Sequence, residues 1–350
     1  LLLSNIVILT TFLMPVFYMV WRFFTFTRSF ESFFESWNVY GLLFNTISMF
    51  FVVVLSSVTV GLLVSILLIR FEIRYSKILF TLCALPLVIP SYIGALTYVS
   101  AFSPKGLFVQ LFSFTGISEI NGIEGFIGSW IALTLFTYPY VQLICSSALR
   151  NLDSTVEEAA RSLGTKRFRI YTSVVIPRLK KPIIYSSLLV GLYVISDFGA
   201  VSLMKYSTIT KAIYTYYEFS LLGDPIIFYS GLLIFLALII SFVQRGSDVS
   251  RAAKVSGTPR IPAKVELSSR NKFFVYLFFI TVIFFSLLLP VSVLSYWLIR
   301  GLSVGNDVRA VFGGVVGSFS ASIVTSILAI IISMPIVIMI SQYRSRFGDV

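Results

Sequence analysis

The chain has 350 residues, of which 57% are hydrophobic and only 12% are charged, with a net charge of +12 and no histidine. Its mean hydropathy is +0.94. Soluble globular domains carry about 25% charged residues, so this composition excludes a soluble globular domain and indicates an integral membrane protein. The two cysteines, Cys83 and Cys145, lie inside apolar segments, which argues against a disulfide framework and against a thiolate metal site.

Eight apolar segments are long enough to cross a bilayer, since a spanning helix needs roughly 20 residues. They are residues 1–21, 42–69, 78–104, 125–149, 182–204, 225–244, 273–299 and 310–343. Asp197 is the only charge that interrupts the fifth segment. Prolines inside the segments predict kinks rather than ends, at Pro15, Pro86, Pro90, Pro139, Pro290 and Pro335. We therefore predict an all-α polytopic helical bundle with eight transmembrane helices.

The basic residues between these segments are distributed unevenly. The loops on one side of the predicted membrane carry 20 of the 27 lysines and arginines, and those on the other side carry 7. The positive-inside rule assigns the basic side, and with it the N-terminus, to the cytoplasm. Because the basic residues are scattered over separate loops and form no single face with aromatic side chains, we predict no nucleic-acid partner.

A weak internal repeat is present. Leu-Met-Pro-Val at residues 13–16 matches Leu-Leu-Pro-Val at 288–291, and residues 42–74 resemble 316–348, at an offset of about 275. We predict a first repeat of six spans over residues 1–244, a polar cytoplasmic linker over 245–272, and the start of a second repeat over 273–350. Since this second repeat has only two spans, we expect the chain to be part of a longer fused protein of twelve spans; the alternative is a complete protein of eight.

A polar, basic island at residues 157–177 lies in the cytoplasmic loop 150–181. Its sequence, Glu-Glu-Ala-Ala-Arg-Ser-Leu-Gly-Thr-Lys-Arg-Phe-Arg-Ile-Tyr-Thr-Ser-Val-Val-Ile-Pro, predicts helix, sharp turn and helix. Gly164 follows the first apolar stripe, at a position where a helix ends and the chain needs a left-handed residue. Pro177 is expected to stop the second helix. The alternative is an ordinary cytoplasmic loop with one structured turn.

The spacing Glu-Ala-Ala, three residues, Gly, nine residues, Val-Val-Ile-Pro resembles the EAA loop of bacterial binding-protein-dependent ABC importer permeases. The only departures from that pattern are Val174 for Ile and Ile176 for Leu. The resemblance implies the type I ABC importer permease fold and a coupling helix that docks on a separate ATP-hydrolysing subunit. The coupling residues that it implies are Glu157, Glu158, Ala159, Ala160, Gly164, Phe168 and Pro177. For either glutamate, the alternatives are pairing with basic residues of the ATPase and stabilising its own helix N-terminus.

The sequence contains no catalytic constellation. ATP hydrolysis needs a Gly-rich phosphate loop with Gly-Lys-Ser/Thr, and no glycine of this chain is followed by lysine. We therefore predict a transport subunit that is not an enzyme, has no cofactor and no resident metal, and takes energy from a partner. A transporter driven by an ion gradient is the alternative, and it would want several ionisable residues within the spans.

Asp197 is the clearest ionisable residue within a predicted span. An unpaired acid costs about 3 kcal/mol on insertion scales, so it should face the protein interior or a water path. We interpret Asp197, with Ser196 and Tyr193, as candidates for the translocation path. Ser91 and Tyr92 are weaker candidates, because they follow Pro90 at a point where the third span can open. The alternatives are a packing acid satisfied by hydroxyl groups and a simple kink.

Residues 196–201 (Ser-Asp-Phe-Gly-Ala-Val), residues 208–214 (Thr-Ile-Thr-Lys-Ala-Ile-Tyr) and residues 137–140 (Thr-Tyr-Pro-Tyr) resemble the ferric-iron branch of these permeases. The resemblance implies a bacterial inner-membrane importer of ferric iron. Its partners would be two ATP-binding subunits and a periplasmic or lipoprotein binding protein. Thiamine, aminoethylphosphonate and polyamines are the alternative substrates on the same scaffold. Five outward residues either meet the binding protein or form an interfacial aromatic belt: Tyr206, Tyr214, Tyr216, Tyr217 and Glu218.

Overall fold

The computed structural model describes residues 2–25, 38–104, 106–112, 122–152, 157, 160, 162–219, 223–245, 264–305 and 308–342. These residues are helical, as predicted, apart from turns and an isolated β-bridge. The helices are α1 (Leu2–Phe24), α2 (Val39–Arg70), α3 (Ser76–Ala84), α4 (Ser91–Phe102), α5 (Leu107–Phe112), α6 (Phe126–Arg150), α7 (Arg167–Ile170), α8 (Ile176–Arg178), α9 (Lys180–Ser196), α10 (Gly199–Leu203), α11 (Ile209–Glu218), α12 (Gly223–Arg245), α13 (Ser269–Ile283), α14 (Leu289–Ser303) and α15 (Val308–Gln342). A 3-10 turn, Leu85–Val88, follows α3, and π-helical turns, Tyr171–Val175 and Phe284–Leu288, precede α8 and α14.

Five helices in the described ranges are long and apolar enough to cross a membrane, and up to seven spans result if two bent pairs each count as one. The five are Val39–Arg70, Phe126–Arg150, Pro225–Phe242, Ser269–Ser303 and Val311–Pro335; the pairs are Ser76–Val88 with Ser91–Gln110, and Tyr171–Arg178 with Lys180–Ser196. In order, they correspond to the second to eighth predicted segments. The first segment is helical over 23 residues as α1 but is not among the seven. The chain is therefore a multi-pass helical membrane protein, and the number eight stays a prediction.

Prolines break the two bent spans. The two halves of the third predicted segment meet at 95°, where Pro86 lies in the 3-10 turn and Pro90 precedes α4. Proline donates no backbone hydrogen bond and disfavours a helical residue before it, and Ile89 is accordingly extended, with ψ 115. The kink expected here is thus a full break. In the second bent pair Pro177, which precedes the fifth predicted segment, follows a π-helical turn, and the chain bends by 61° beyond α8.

The closest helix pair joins α2 to α6 through small and hydroxylated side chains. Ser56 lies 2.7 Å from Thr134, and Ser57 lies 2.8 Å from Thr137. Gly61 marks the tightest approach, because a Cβ added there would lie 2.6 Å from Cβ of Val141. Small residues that allow helices to approach closely are the usual means of helix association in a bilayer, where apolar burial alone gives little drive. The α2–α6 contact therefore forms the centre of the described bundle.

The start of the predicted second repeat packs on this bundle. Phe279 of α13 is fully buried in a cluster with Leu68, Cys83 and Tyr138, and the Tyr98 hydroxyl donates a 2.6 Å hydrogen bond to the carbonyl of Phe285. The cluster includes a cysteine as a small buried residue, as the sequence predicted; Cys145 is also buried. Packing thus places α13, at the start of the predicted second repeat, against helices of the predicted first repeat.

Contacts divide the chain into two units, and these cut across the predicted repeats. One unit combines Leu1–Thr27 with Ser295–Val350, and the other is Arg28–Leu294. Within the first unit α1 contacts α15, whose hydrophobic side chains are exposed in the described chain. The repeat boundaries at 244 and 273 stay a prediction from the sequence.

Replacing Gly61 by valine should destabilise the bundle by about 1–3 kcal/mol, since the new side chain must push α6 away or distort both helices. Thermal unfolding of the purified permease measures the effect. Leu55→Val, on an exposed face of the same helix, is the matched control and should leave the melting temperature unchanged. Equal melting temperatures for both variants would contradict the tight α2–α6 contact.

Candidate functional site

The turn of the predicted coupling loop has the conformation that the sequence indicated. Glu157, Ala160 and Ser162 are helical, and Gly164 has φ +75, in the left-handed region. The N–H of Thr165 donates a 3.1 Å bond to the carbonyl of Ala160, which is the six-to-one hydrogen bond of a Schellman motif. Glycine takes this conformation without the strain that a Cβ would bring. The predicted end of the first helix at Gly164 is thus confirmed.

Glu157 is held inside the chain. Its Oε1 accepts a 2.7 Å hydrogen bond from Nη2 of Arg70, and both side chains are nearly fully buried, with 3% and 2% exposure. Neither role expected for this glutamate, a pair with an ATPase or a contact with its own helix N-terminus, describes this geometry, since the counter-charge comes from the end of α2. Removing one partner of a buried ion pair typically costs 3–5 kcal/mol, because the other charge is left without compensation. The pair therefore fixes the start of the loop to the end of a span.

The second half of the loop packs on the same helix end. The ring of Tyr171 stacks on Phe71 at 5.8 Å between centroids, and Val175 and Leu179 are buried beside Leu149. Pro177 lies in α8, where the helix ends at Arg178, close to the predicted stop. Apolar burial therefore anchors this half, as the ion pair anchors the first.

The tip of the loop remains exposed. Leu163 is 85% exposed and lies next to Gly164, where a Cβ would meet nothing within 4 Å in the described chain. Lys166 and Arg169 are also exposed. Phe168 lies in α7, and its side chain falls outside the described residues, as do Glu158 and Ala159. Chemically, an anchored turn with an exposed leucine and two cations offers a small protein-docking surface.

Asp197 lies at a second break in the helices, between α9 and α10. Its Oδ2 accepts a 2.5 Å hydrogen bond from the Ser91 hydroxyl, and its Oδ1 accepts a 2.9 Å bond from the N–H of Ala200. Its backbone carbonyl accepts a 2.8 Å bond from the Thr210 hydroxyl. The side chain is buried, at 8% exposure. These contacts match the packing-acid alternative and tie together α4, α10 and α11.

The other path candidates are spread around this break. Tyr92 is 47% exposed, and its Cβ lies 2.8 Å from the position of a Cβ added at Gly199, so α4 and α10 approach closely. Tyr193 is half-buried, with its ring 6.0 Å from Tyr140, and Ser196 is exposed. The structure therefore brings Ser91 and Asp197 into contact, and Tyr193 interacts with both the Ser91 side chain and the Asp197 carboxylate, whereas Tyr92 and Ser196 are exposed. Their role in a path stays a prediction.

The expected outward cluster is smaller than predicted. Tyr206 is half-buried and its hydroxyl donates to the carbonyl of Asn45 at 3.2 Å, while Tyr216 stacks on Tyr229 at 5.9 Å. Burial raises the pKa of the Tyr216 hydroxyl. Tyr214, Tyr217 and Glu218 remain exposed on α11. Tyr206 lies in the non-helical residues 206–208, and helical periodicity places Tyr216 on a different face of α11 from Tyr214, Tyr217 and Glu218. Contact with a binding protein and an interfacial aromatic belt both stay predictions.

Comparison with known proteins identifies the family. The family described as "Binding-protein-dependent transport system inner membrane component" matches residues 57–250, which is more than half of the chain and includes the coupling loop and Asp197. The chain belongs to this family. It is thus a transport component, and the predicted membership of the binding-protein-dependent permeases is confirmed, while the role of residues 157–177 as a coupling loop stays a prediction.

Individual relatives of this inner membrane component differ in their cargo. The Fe(3+)-transport system permease protein FbpB 2 of Haemophilus influenzae is 29% identical over 325 residues, which cover 91% of this chain and 60% of that protein. The sulfate transport system permease protein CysT of Salmonella typhimurium is 30% identical over 141 residues, covering 40% of this chain and 50% of that protein. The chain therefore spans about half to three fifths of the length of these relatives.

Solved structures support the same fold. The crystal structure of a bacterial alginate ABC transporter in complex with an alginate-bound periplasmic protein contains a chain with a TM-score of 0.55 and 16% identity. The match covers 73% of this chain and 94% of that one. This likeness shows the ABC importer permease fold for the inner membrane component.

Within the described ranges, no group of three or more His, Cys, Asp or Glu side chains converges in a way that would hold a metal ion.

Sequence reasoning missed the partners that hold the site. Arg70 was counted only as a topology signal, and its pairing with Glu157 joins residues 87 apart in sequence. Val265 was assigned to the polar linker 245–272 with no partner predicted for it, and its backbone bridges to Phe71. A charged residue at the last position of an apolar span was the one available signal, and it does not specify a partner.

Replacing Asp197 by alanine should destabilise the permease by about 1–3 kcal/mol, since the Ser91 hydroxyl and the Ala200 N–H lose their acceptor. Asp197→Asn keeps one carbonyl oxygen and should retain both the melting temperature and uptake. Ser196→Ala, at an exposed position, is the control. If Asp197→Asn melts normally but transports nothing, the charge belongs to the translocation path and the packing interpretation is wrong.

Proposed function

We propose that this chain forms the membrane permease of an ABC importer in which two ATP-binding subunits drive transport through the loop around Glu157 and Gly164. The observation that carries this proposal is the combination of a buried anchor and an exposed tip. The Arg70–Glu157 pair fixes the loop to α2, while Leu163 is 85% exposed and a Cβ added at the adjacent Gly164 would meet nothing within 4 Å in the described chain. A loop of this kind transmits force at its anchor and presents a constant shape at its tip.

Alternating access is the mechanism that we infer from this arrangement. ATP binding closes the ATPase subunits, the loop moves with them, and the spans attached to its anchors rearrange so that the cavity opens outward. The cavity accepts cargo from an extracytoplasmic binding protein, and ATP hydrolysis reverses the motion. The alginate transporter with its bound periplasmic protein supports such an assembly by analogy of fold.

The membrane arrangement that we propose has eight spans, a cytoplasmic N-terminus and a location in the bacterial inner membrane. The 20 to 7 division of basic residues supports this orientation. Residues 1–244 form the first repeat, 245–272 the linker, and 273–350 the beginning of the second repeat. Glu158, Ala159 and Phe168 complete the proposed coupling surface, while Tyr193, Ser196 and Tyr92 remain candidates for the path.

Ferric iron is the proposed cargo. The ferric-iron permease FbpB 2 matches 91% of this chain, whereas the sulfate permease CysT matches 40%, and this difference in coverage supports iron. Sulfate is the second candidate because a sulfate permease matches 40% of this chain at a similar identity of 30%. Thiamine, aminoethylphosphonate and polyamines remain further alternatives on the same fold.

Replacing Gly164 by valine should uncouple ATP hydrolysis from transport, because a β-branched residue in the left-handed region costs roughly 1–2 kcal/mol and distorts the turn. Ala160→Asp should have a similar effect, since it alters the helix just before the turn. Uptake into proteoliposomes containing the permease, its ATPase and its binding protein measures the loss. Gly164→Asn is the matched control, because asparagine tolerates this conformation, and it should retain most uptake. Normal uptake by Gly164→Val at equal expression would sink the coupling assignment.

The cargo is tested by stimulation of ATP hydrolysis in the same reconstituted system. Iron-loaded binding protein should stimulate hydrolysis, while sulfate, thiamine, aminoethylphosphonate or polyamine presented with the matching binding proteins should not. Stimulation by one of these others instead would keep the importer and overturn iron. Uptake that needs no ATP and follows a proton or sodium gradient would overturn the importer itself.

A further inference from the structure

Residues 70–74, which are the last residue of α2 and the four residues after it, contact three parts of the chain that are distant in sequence. Its contacts with the coupling loop are the Arg70–Glu157 ion pair at 2.7 Å and the stack of Phe71 on Tyr171 at 5.8 Å. We call residues 70–74 the hub segment. It lies at the end of a 32-residue helix, so a displacement of the coupling loop acts directly on that helix.

The linker between the predicted repeats binds the same segment. The N–H of Val265 donates a 2.9 Å hydrogen bond to the carbonyl of Arg70, and the N–H of Glu72 donates a 3.0 Å bond to the carbonyl of Val265. This pair of bonds forms the parallel bridge between Phe71 and Val265, and the Val265 side chain is buried at 5% exposure. A polar linker that merely connected two repeats would need neither the paired bonds nor the buried valine.

A third tie reaches the first helix of the predicted second repeat. The hydroxyl of Tyr276, in α13, accepts a 3.2 Å hydrogen bond from the backbone N–H of Arg74. Ser269, the first residue of α13, lies only four positions beyond Val265. The linker bridge therefore holds the chain just before α13, and the Tyr276 contact holds the helix itself. The coupling loop, the linker and α13 are therefore fastened to one five-residue stretch.

We propose that the hub segment transmits movement of the coupling loop to the linker and α13, so that the loop of the first repeat also drives the first helix of the second. Arg70 and Val265 are its positioning residues: Arg70 holds the loop, and the Val265 backbone holds the linker. The inference rests on the proposed function, because it requires that the loop of residues 157–177 receives force from an ATPase.

Proline substitutions separate this role from a general effect on folding. Val265→Pro removes the N–H that bonds to Arg70, whereas Glu266→Pro leaves that N–H in place and favours the extended conformation that Val265 needs. In the reconstituted importer, Val265→Pro should keep basal ATP hydrolysis and assembly but lower stimulation by loaded binding protein about fivefold or more, in the range of typical coupling between sites. Glu266→Pro should match the wild type.

The ion pair is tested with a charge-balanced double variant. Arg70→Met leaves the Glu157 carboxylate buried without its partner and is expected to lower the melting temperature, while Arg70→Lys should be tolerated. Arg70→Met combined with Glu157→Gln removes both charges and should restore the melting temperature but not the stimulation. If stimulation returns together with the melting temperature, the pair serves folding alone and its part in transmission is overturned.

Gly164→Val, measured in parallel, keeps the two proposals apart. Loss of stimulation in Gly164→Val with normal stimulation in Val265→Pro would reject the hub and leave the coupling loop standing. Normal stimulation in Gly164→Val would reject the coupling loop and the hub with it. A fall in stimulation of Val265→Pro that only follows a fall in basal hydrolysis and assembly would also reject the hub, since it would report misfolding.

Discussion

Polar groups that leave water must find partners inside the protein, and this constraint explains where the described helices break and how they are joined. At Asp197 the helix ends, and the carboxylate takes the Ser91 hydroxyl and the Ala200 N–H as donors. At Pro90 the missing N–H and the extended Ile89 produce a sharp bend. Because the Ser91 hydroxyl at the start of α4 donates to Asp197 at the end of α9, the two breaks also join these helices.

The Arg70–Glu157 pair applies the same constraint at the end of a span. Two charges with 2% and 3% exposure are tolerable only together, so the pair fixes the distance between α2 and the start of the coupling loop. One hydrogen bond from the linker, donated by the N–H of Val265, reaches the carbonyl of the same arginine. Arg70 therefore pairs with the Glu157 carboxylate through its side chain and accepts a hydrogen bond from the linker through its backbone carbonyl. The same residue thus contributes to stability and holds the loop in position.

Local features of this protein were readable from the sequence, and long-range ones were not. The left-handed Gly164 was predictable because a glycine after an apolar helical stripe commonly ends the helix in the left-handed conformation. Apolar length predicted eight segments, and the described helices reproduce seven of them as single or bent candidate spans. The partner of Glu157 was not predictable, since a buried pair across 87 residues depends on which helices meet. The different environments of the outward tyrosines were not predictable either, since neighbours in sequence need not share one face of a helix.

The same joints fasten α13 to the rest of the described bundle. A linker without structure would leave two predicted repeats free to move independently. Here the residues that hold the loop around Glu157 also bind Val265 and Tyr276, and Phe279 of α13 is buried in a cluster with Leu68, Cys83 and Tyr138. A displacement at the loop then cannot occur without either moving α13 or breaking the bonds at Arg70 and Arg74. If the proposed hub segment transmits force, such fastening favours a transition in which the loop and α13 move together.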